Sequence, residues 1–379
     1  MKHIHHILFI TCFIFVGCKN ETIKNADSID LSNSIRSDIS VFDIFSKVEI
    51  IPLETTKESV ITPFLINVEP VDSFFYVLDF NQEVIFIFDS AGNYQRKLDK
   101  NGQGPQDYYG LVDFNINRFT GNLELLSTYG YLQIYDKSGN EHKEKVDISE
   151  IIAVRNVENL TEDVYVFFAY SGREDKEKMF FYSRNEKKII AKEYDFPGKV
   201  LITSFGHNIT PFYFYSDSIF FFQAFNGDIF SIDIQNFKLV PRYSWDFGEN
   251  TLEKSKIVPY NDTPNYYRQL SANGSRKYAM QFGLNAENSH YFMTSFFFNN
   301  KPMGLIHNKK DNTNIILRHF KEGFQCVPHF MDEEAMYSWF TYDYLSGIVN
   351  ESVLDEENKI KLRNVKEDDN SVIVKYTFK

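Results

Sequence analysis

Cysteine, tryptophan and long apolar runs are all scarce in this chain of 379 residues, which holds three Cys and two Trp. Cys12 and Cys18 fall within the first eighteen residues, so the rest keeps Cys326 alone and can form no intrachain disulfide. A lone Cys of this kind reads as a small buried apolar residue, and an exported form would be held by its core. The chain is long enough to build one. After Val16 no segment approaches the roughly 20 apolar residues that a membrane-spanning helix needs. Basic charge is also short: 40 Lys and Arg face 52 Asp and Glu, for a net charge of -12. That balance argues against a nucleic-acid partner, which would need clustered Lys and Arg.

Motifs for familiar chemistry are missing too. No G-x-S-x-G nucleophile turn occurs, and no D-x-D-x-D-G calcium loop. No two of His207, His290, His307, His319 and His329 have the close spacing of a zinc motif. His307 beside a hairpin turn and His319 in an outer strand are expected to be solvated. The many carboxylates guarantee chance pairs, so pairing alone identifies no glycosidase or lyase.

The N-terminus reads MKHIHHILFITCFIFVGC. Its apolar run, Ile7 to Val16, is too short to span a bilayer and suits the hydrophobic region of a signal peptide, residues 1–17. Gly17 before Cys18 matches a lipobox, in which Cys18 carries lipid and becomes the first residue. Residues 18–45 are rich in Ser, Asn and Asp and read as a flexible tether. The expected address is the cell envelope, as an outer-membrane lipoprotein held by its N-terminal lipid.

What the chain has in excess is aromatic: 38 Phe and 23 Tyr. Large flat side chains favour strands. They also repeat. EVIFIFDSAGNYQRKL and YLQIYDKSGNEHKEKV share an apolar strand, an Asp, a Gly-Asn turn and a polar strand. Phe88, Tyr135 and Tyr182 recur at one constant interval, and looser copies follow near Ile232 and Ile306. Each hairpin is preceded by two further candidate strands. Four strands per repeat of roughly 40–50 residues is the signature of a β-propeller blade. A four-stranded sheet cannot bury both faces alone, and stacking blades around an axis does so. Five hairpins and a sixth blade ending in SVIVKYTF predict an all-β, six-bladed propeller. Residues 47–55, KVEIIPLET, supply the last blade's outer strand and close the ring. Helical insertions are expected near 262–281 and 343–370.

The segments VEIIPLETT, YVLDFNQEVIFIFDSAGNYQRKLDKNGQGPQDY and NSVIVKYTFK resemble the six-bladed propeller lipoproteins of Bacteroidetes, relatives of NHL-like propellers. The resemblance runs from residue 46 to 379. It implies the fold and export, and no agreed activity. GQGP, Gly102 to Pro105, opens no helix and lacks a following Lys-Ser/Thr, so it is read as a sharp connector between blades rather than a phosphate loop.

Function is expected on loops held by the rigid ring. The second-to-third strand loops and the blade-to-blade connectors share one face. They carry the candidate binding residues Asn81, Asp107, Tyr108, Tyr129, Arg173, His207, Asn226, Arg268 and His329. The expected role is binding or scaffolding of a glycan, a peptide or an envelope protein, with no cofactor. The alternative is a lyase or hydrolase using a divalent metal in the central channel.

Overall fold

The computed structural model describes residues 23–24, 29–63, 66–169, 177–195, 210–222, 227–252 and 274–379. They form six sheets of four antiparallel strands, consecutive in sequence in all but the last, and two of the sheets gain a short, parallel fifth strand. Blade 1 runs Ile66–Val71, Phe74–Asp79, Val84–Asp89 and Tyr94–Leu98. Blade 2 runs Leu111–Ile116, Leu123–Ser127, Tyr131–Tyr135 and His142–Asp147. Blades 3, 4 and 5 begin with Val154–Asn159, Phe212–Tyr215 and Met280–Glu287. Blade 6 begins with Phe330–Met331, followed by Ala335–Phe340 and Val372–Phe378. Its outer strand is Phe45–Pro52, paired antiparallel with Val372–Phe378. The ring is therefore closed by the two ends of the chain, which leaves no unpaired edge between its first and last blades.

The middle strands of a blade are nearly continuous apolar runs because both faces meet a neighbouring blade. Phe75, Val77, Phe86 and Phe88 of blade 1 pack with Ile51 and Ile373 of blade 6, and Leu78, Ile85 and Ile87 pack with Leu123 and Tyr135 of blade 2. Gly92, in the blade 1 hairpin, has φ +88°, and a Cβ there would lie 2.2 Å from the Pro52 carbonyl oxygen. The turn thus needs glycine twice over, for its backbone angle and for its contact with the closing strand.

The described part of the polar segment before residue 45 is not free. Leu31 and Val41 are fully buried, and Ile35–Arg36 pairs parallel with Ile316–Leu317 at the outer edge of blade 5. Ile23–Lys24 pairs likewise with Tyr243–Ser244 of blade 4. The Ser and Asp residues that suggested a tether are helix caps: Asp30 accepts from the Ser32 N–H, and Ser40 with Asp43 forms a capping box. The segment covers two outer strand edges on its way into blade 6.

The excursion between the last two strands of the chain carries two short helices, Tyr342–Leu345 and Glu356–Asn364. Asn358 is buried, and its Oδ1 accepts the Ile50 N–H at 2.8 Å, which satisfies the outer strand's free edge. The insertion expected at 262–281 lies mostly outside the described residues; its described end holds one 3₁₀ turn, Gly274–Arg276.

Candidate functional site

In a propeller the innermost strand of each blade turns one edge to the axis, where its backbone groups have no strand partner. Here acidic side chains from one blade reach across to the next. Glu69 of blade 1 accepts the Ile116 N–H of blade 2 at 3.4 Å. Asp113 of blade 2 accepts the Val157 N–H of blade 3 at 3.0 Å and the Asn156 side-chain amide at 3.3 Å. Glu158 on the inner strand of blade 3 continues the series.

These side chains border a cavity of about 460 Å³ that follows the channel and touches the inner strands of all six blades. Its walls differ. Blades 1 to 3 contribute Glu69, Asp113 and Glu158 with the amides of Asn67, Asn115 and Asn159. Blades 4 to 6 contribute mainly rings and aliphatic groups, among them Phe214, Phe330, Met331 and Trp339. At the turns between first and second strands, Arg118 donates to the carbonyls of Asn159 (3.0 Å) and Asp217 (2.8 Å). Its guanidinium lies 5.3 Å from the Phe214 ring centre. Lys137 pairs with Asp72 beside it.

Burial dominates the electrostatics. Glu69 is pushed up to about 8, chiefly by loss of water and secondarily by the charge of Asp113. Asp113 is pushed up to about 7 by burial, against the hydrogen bonds from blade 3. Glu158 is held well above the usual carboxylate range by burial and then by Glu69 and Asp113. These carboxyls keep some surface open to the cavity, but protein surrounds them on every other side.

His329 is the one candidate binding residue on this cavity among those described. Its ring stacks on Trp339 at 4.3 Å, and its Nδ1 accepts the Trp339 N–H at 3.2 Å, which leaves the proton on Nε2. Burial pushes its pKa down to about 3, so the imidazole is neutral. Asp107 and Tyr108 have structural partners instead. Asp107 accepts the Gly104 N–H at 2.8 Å, and a Cβ on Gly102 or Gly104 would meet its carboxylate at 2.5 or 2.6 Å. Tyr108 is buried, and its hydroxyl donates to the Leu98 carbonyl at 2.9 Å. The GQGPQDY segment is thus a self-braced connector.

Asn81 is exposed outside the cavity; its backbone N–H donates to Asp79. Tyr129 is 60% exposed and stacks on Tyr109 at 5.2 Å. Arg173, His207, Asn226, Arg268 and Cys18 lie outside the described residues. His307, expected in solvent, is fully buried against Tyr243 and Trp245, with Nδ1 bonded to Asn314. Cys326 is buried, and burial pushes its thiol up to about 12, which suits an inert packing residue. Among the described residues no three His, Cys, Asp or Glu side chains converge closely enough to hold a metal ion.

The cavity acids were not singled out in the sequence, although a signal existed. One acidic residue interrupts each of three first strands, in INVEPV, LVDFNI and VRNVEN.

A family model described as a domain of unknown function, DUF4934, matches residues 26–377, and the chain belongs to that family. A solved protein of Bacteroides fragilis NCTC 9343, named for its expected export, is similar at 13% identity and TM-score 0.72. That match covers 91% of this chain and 98% of the other. A member of the DUF4221 family from Bacteroides vulgatus ATCC 8482 is similar at 9% identity and TM-score 0.53, covering 90% and 98%. At such identities the likeness establishes the propeller fold alone. No curated protein matches.

Proposed function

We propose that this DUF4934 protein is an exported binding module, held in the cell envelope by lipid on Cys18, that takes a small molecule or a chain end into its central channel. The observation that carries the reading is the cavity itself. At about 460 Å³ it has the size of a ligand pocket, with polar groups on one wall and aromatic groups on the other. The rest of the ring is packed to fix this geometry, as a binding scaffold requires. Export is supported by the leader and by the similarity to a protein named for export.

The binding reading is tested on the full-length lipidated protein in detergent. Thermal unfolding is followed with a panel of monosaccharides, amino acid amides and dipeptides. A true ligand raises the midpoint, and the rise continues with the logarithm of its concentration above the dissociation constant. The substitution Asn67→Phe places a ring in the cavity and should cancel that rise while leaving the fold intact. A panel that stabilises wild type and Asn67→Phe equally would remove the channel as the site. The anchor is tested by feeding cells an alkyne fatty acid. Label should enter wild type and be lost in Cys18→Ser, and equal labelling of both refutes the anchor.

A further inference from the structure

We propose that the channel ligand is a small organic ammonium ion with an apolar body and a neutral oxygen acceptor. This rests on the reading of the cavity as the binding site. Glu69, Asp113 and Glu158 stand on three successive inner strands around one cavity, and none forms an ion pair among the described residues. Of the cations beside them, Lys137 pairs with Asp72, while Arg118 donates to two backbone carbonyls and its charge acts on Glu158 alone of the three, without an ion-pair contact. Burial disfavours the ionised form of all three, and neighbouring carboxyls disfavour it further for Glu69 and Glu158, so a cation in the cavity supplies the counter-charge that lets them ionise. Their spacing does not suit direct chelation of a metal ion. It suits an ammonium group that donates separate hydrogen bonds to separate walls.

A second and independent feature points to a ligand. Asn285, on the inner strand of blade 5, lines the cavity at only 7% exposure; its Nδ2 has no hydrogen-bond partner and is enclosed, so a turn of the side-chain amide is needed to present it to the cavity. A buried donor without a partner is costly unless something supplies an acceptor. His329 adds a second donor on the same side, because its Nδ1 is taken and its proton sits on Nε2. Between these donors and the acids lie Phe214, Phe330 and Trp339, whose faces favour an apolar body and a nearby positive charge. An anion would meet the three carboxyls. A neutral ligand would satisfy Asn285 and leave the carboxyls protonated, with no use for their charge.

The test compares three probes by isothermal titration calorimetry at pH 6.5 on the full-length protein in detergent. L-phenylalaninamide carries the ammonium, the carbonyl and a ring. 3-Phenylpropanamide lacks the ammonium, and phenethylamine lacks the carbonyl. L-phenylalaninamide should bind at least tenfold tighter than either. In the double variant Glu69→Gln, Asp113→Asn its affinity should fall at least tenfold, while that of 3-phenylpropanamide stays unchanged. Both substitutions keep an acceptor oxygen for the neighbouring blade's N–H. Equal binding of the charged and neutral amides, or an unchanged affinity in the double variant, overturns the ammonium proposal and leaves the channel site standing. No binding of L-phenylalaninamide also overturns the proposal, and the Asn67→Phe panel then decides the channel separately.

Discussion

Two seams between blades each bury one glutamate, and they solve the same problem in opposite ways. At the seam of blades 2 and 3, Glu124 is fully buried and receives only neutral donors: Asn117 (2.8 Å), the Tyr165 hydroxyl (2.8 Å), Asn159 (3.1 Å) and Asn115 (3.3 Å). At the seam of blades 4 and 5, Glu287 is 2% exposed and pairs with Arg242 and Lys309, both at 2.5 Å, with the hydroxyls of Tyr213 (2.9 Å) and Tyr243 (3.2 Å) around it. Burial holds Glu124 above the usual carboxylate range in spite of its hydrogen bonds. At the other seam burial lowers Lys309, and the Glu287 charge works against that fall. Neutral donors shape a carboxyl's site without supplying its counter-charge, whereas a buried cation makes the carboxylate indispensable.

The largest expected effect breaks the charged seam. Glu287→Gln leaves Arg242 and Lys309 half-buried without their partner and should cost about 2–4 kcal/mol, measured by urea unfolding. A loss under about 1 kcal/mol would mean that water reaches both cations, and the contrast with the other seam would vanish. Glu124→Gln should cost less, about 1–3 kcal/mol. The new side-chain amide nitrogen faces donors from two Asn side chains, but no buried cation is orphaned. If Glu124→Gln proves the more damaging of the two, charge is not what separates the seams.

The propeller was legible in sequence because a blade repeats its hairpin, and a repeat needs only local alternation to be seen. Closure was legible because Phe45–Pro52 is a strand with no neighbour of its own, and the last blade lacked an outer one. The seams were not legible. Glu287 and Arg242 meet across blades, and nothing local marks either of them as buried. Composition also misled at residues 29–44, where Asp30 and Ser40 counted as solvated residues although they cap turns beside buried Leu31 and Val41. The acids around the cavity went unremarked for a related reason. Loop residues such as Asp107 and Tyr108 brace one connector, whereas the acids that border the cavity interrupt inner strands. In a chain with 52 acidic residues, one carboxylate within a strand carries little weight until the ring places three around an axis.

The smallest effect extends the comparison from the seams to the cavity, whose carboxyls also lack a cation. Glu69 and Asp113 titrate near 8 and 7 in the folded protein, above their ordinary values of about 4 in an unfolded chain. The folded state therefore holds more protons between those limits, and their contribution to stability is fully present below about pH 4 and is lost as the pH rises toward 8. Glu69→Gln with Asp113→Asn removes both titrations. The variant should unfold with a shallower decline between pH 5 and pH 8.5, and at pH 8.5 it should exceed wild type. The gain should be on the order of 1 kcal/mol, because both groups border a cavity that water can enter. Glu124 and Glu158 shift the same way, so a slope remains in the variant, and only its difference from wild type reports the cavity pair. Identical slopes would show that the cavity solvates its acids as well as bulk water does, and the strain that a cationic ligand is proposed to relieve would be absent.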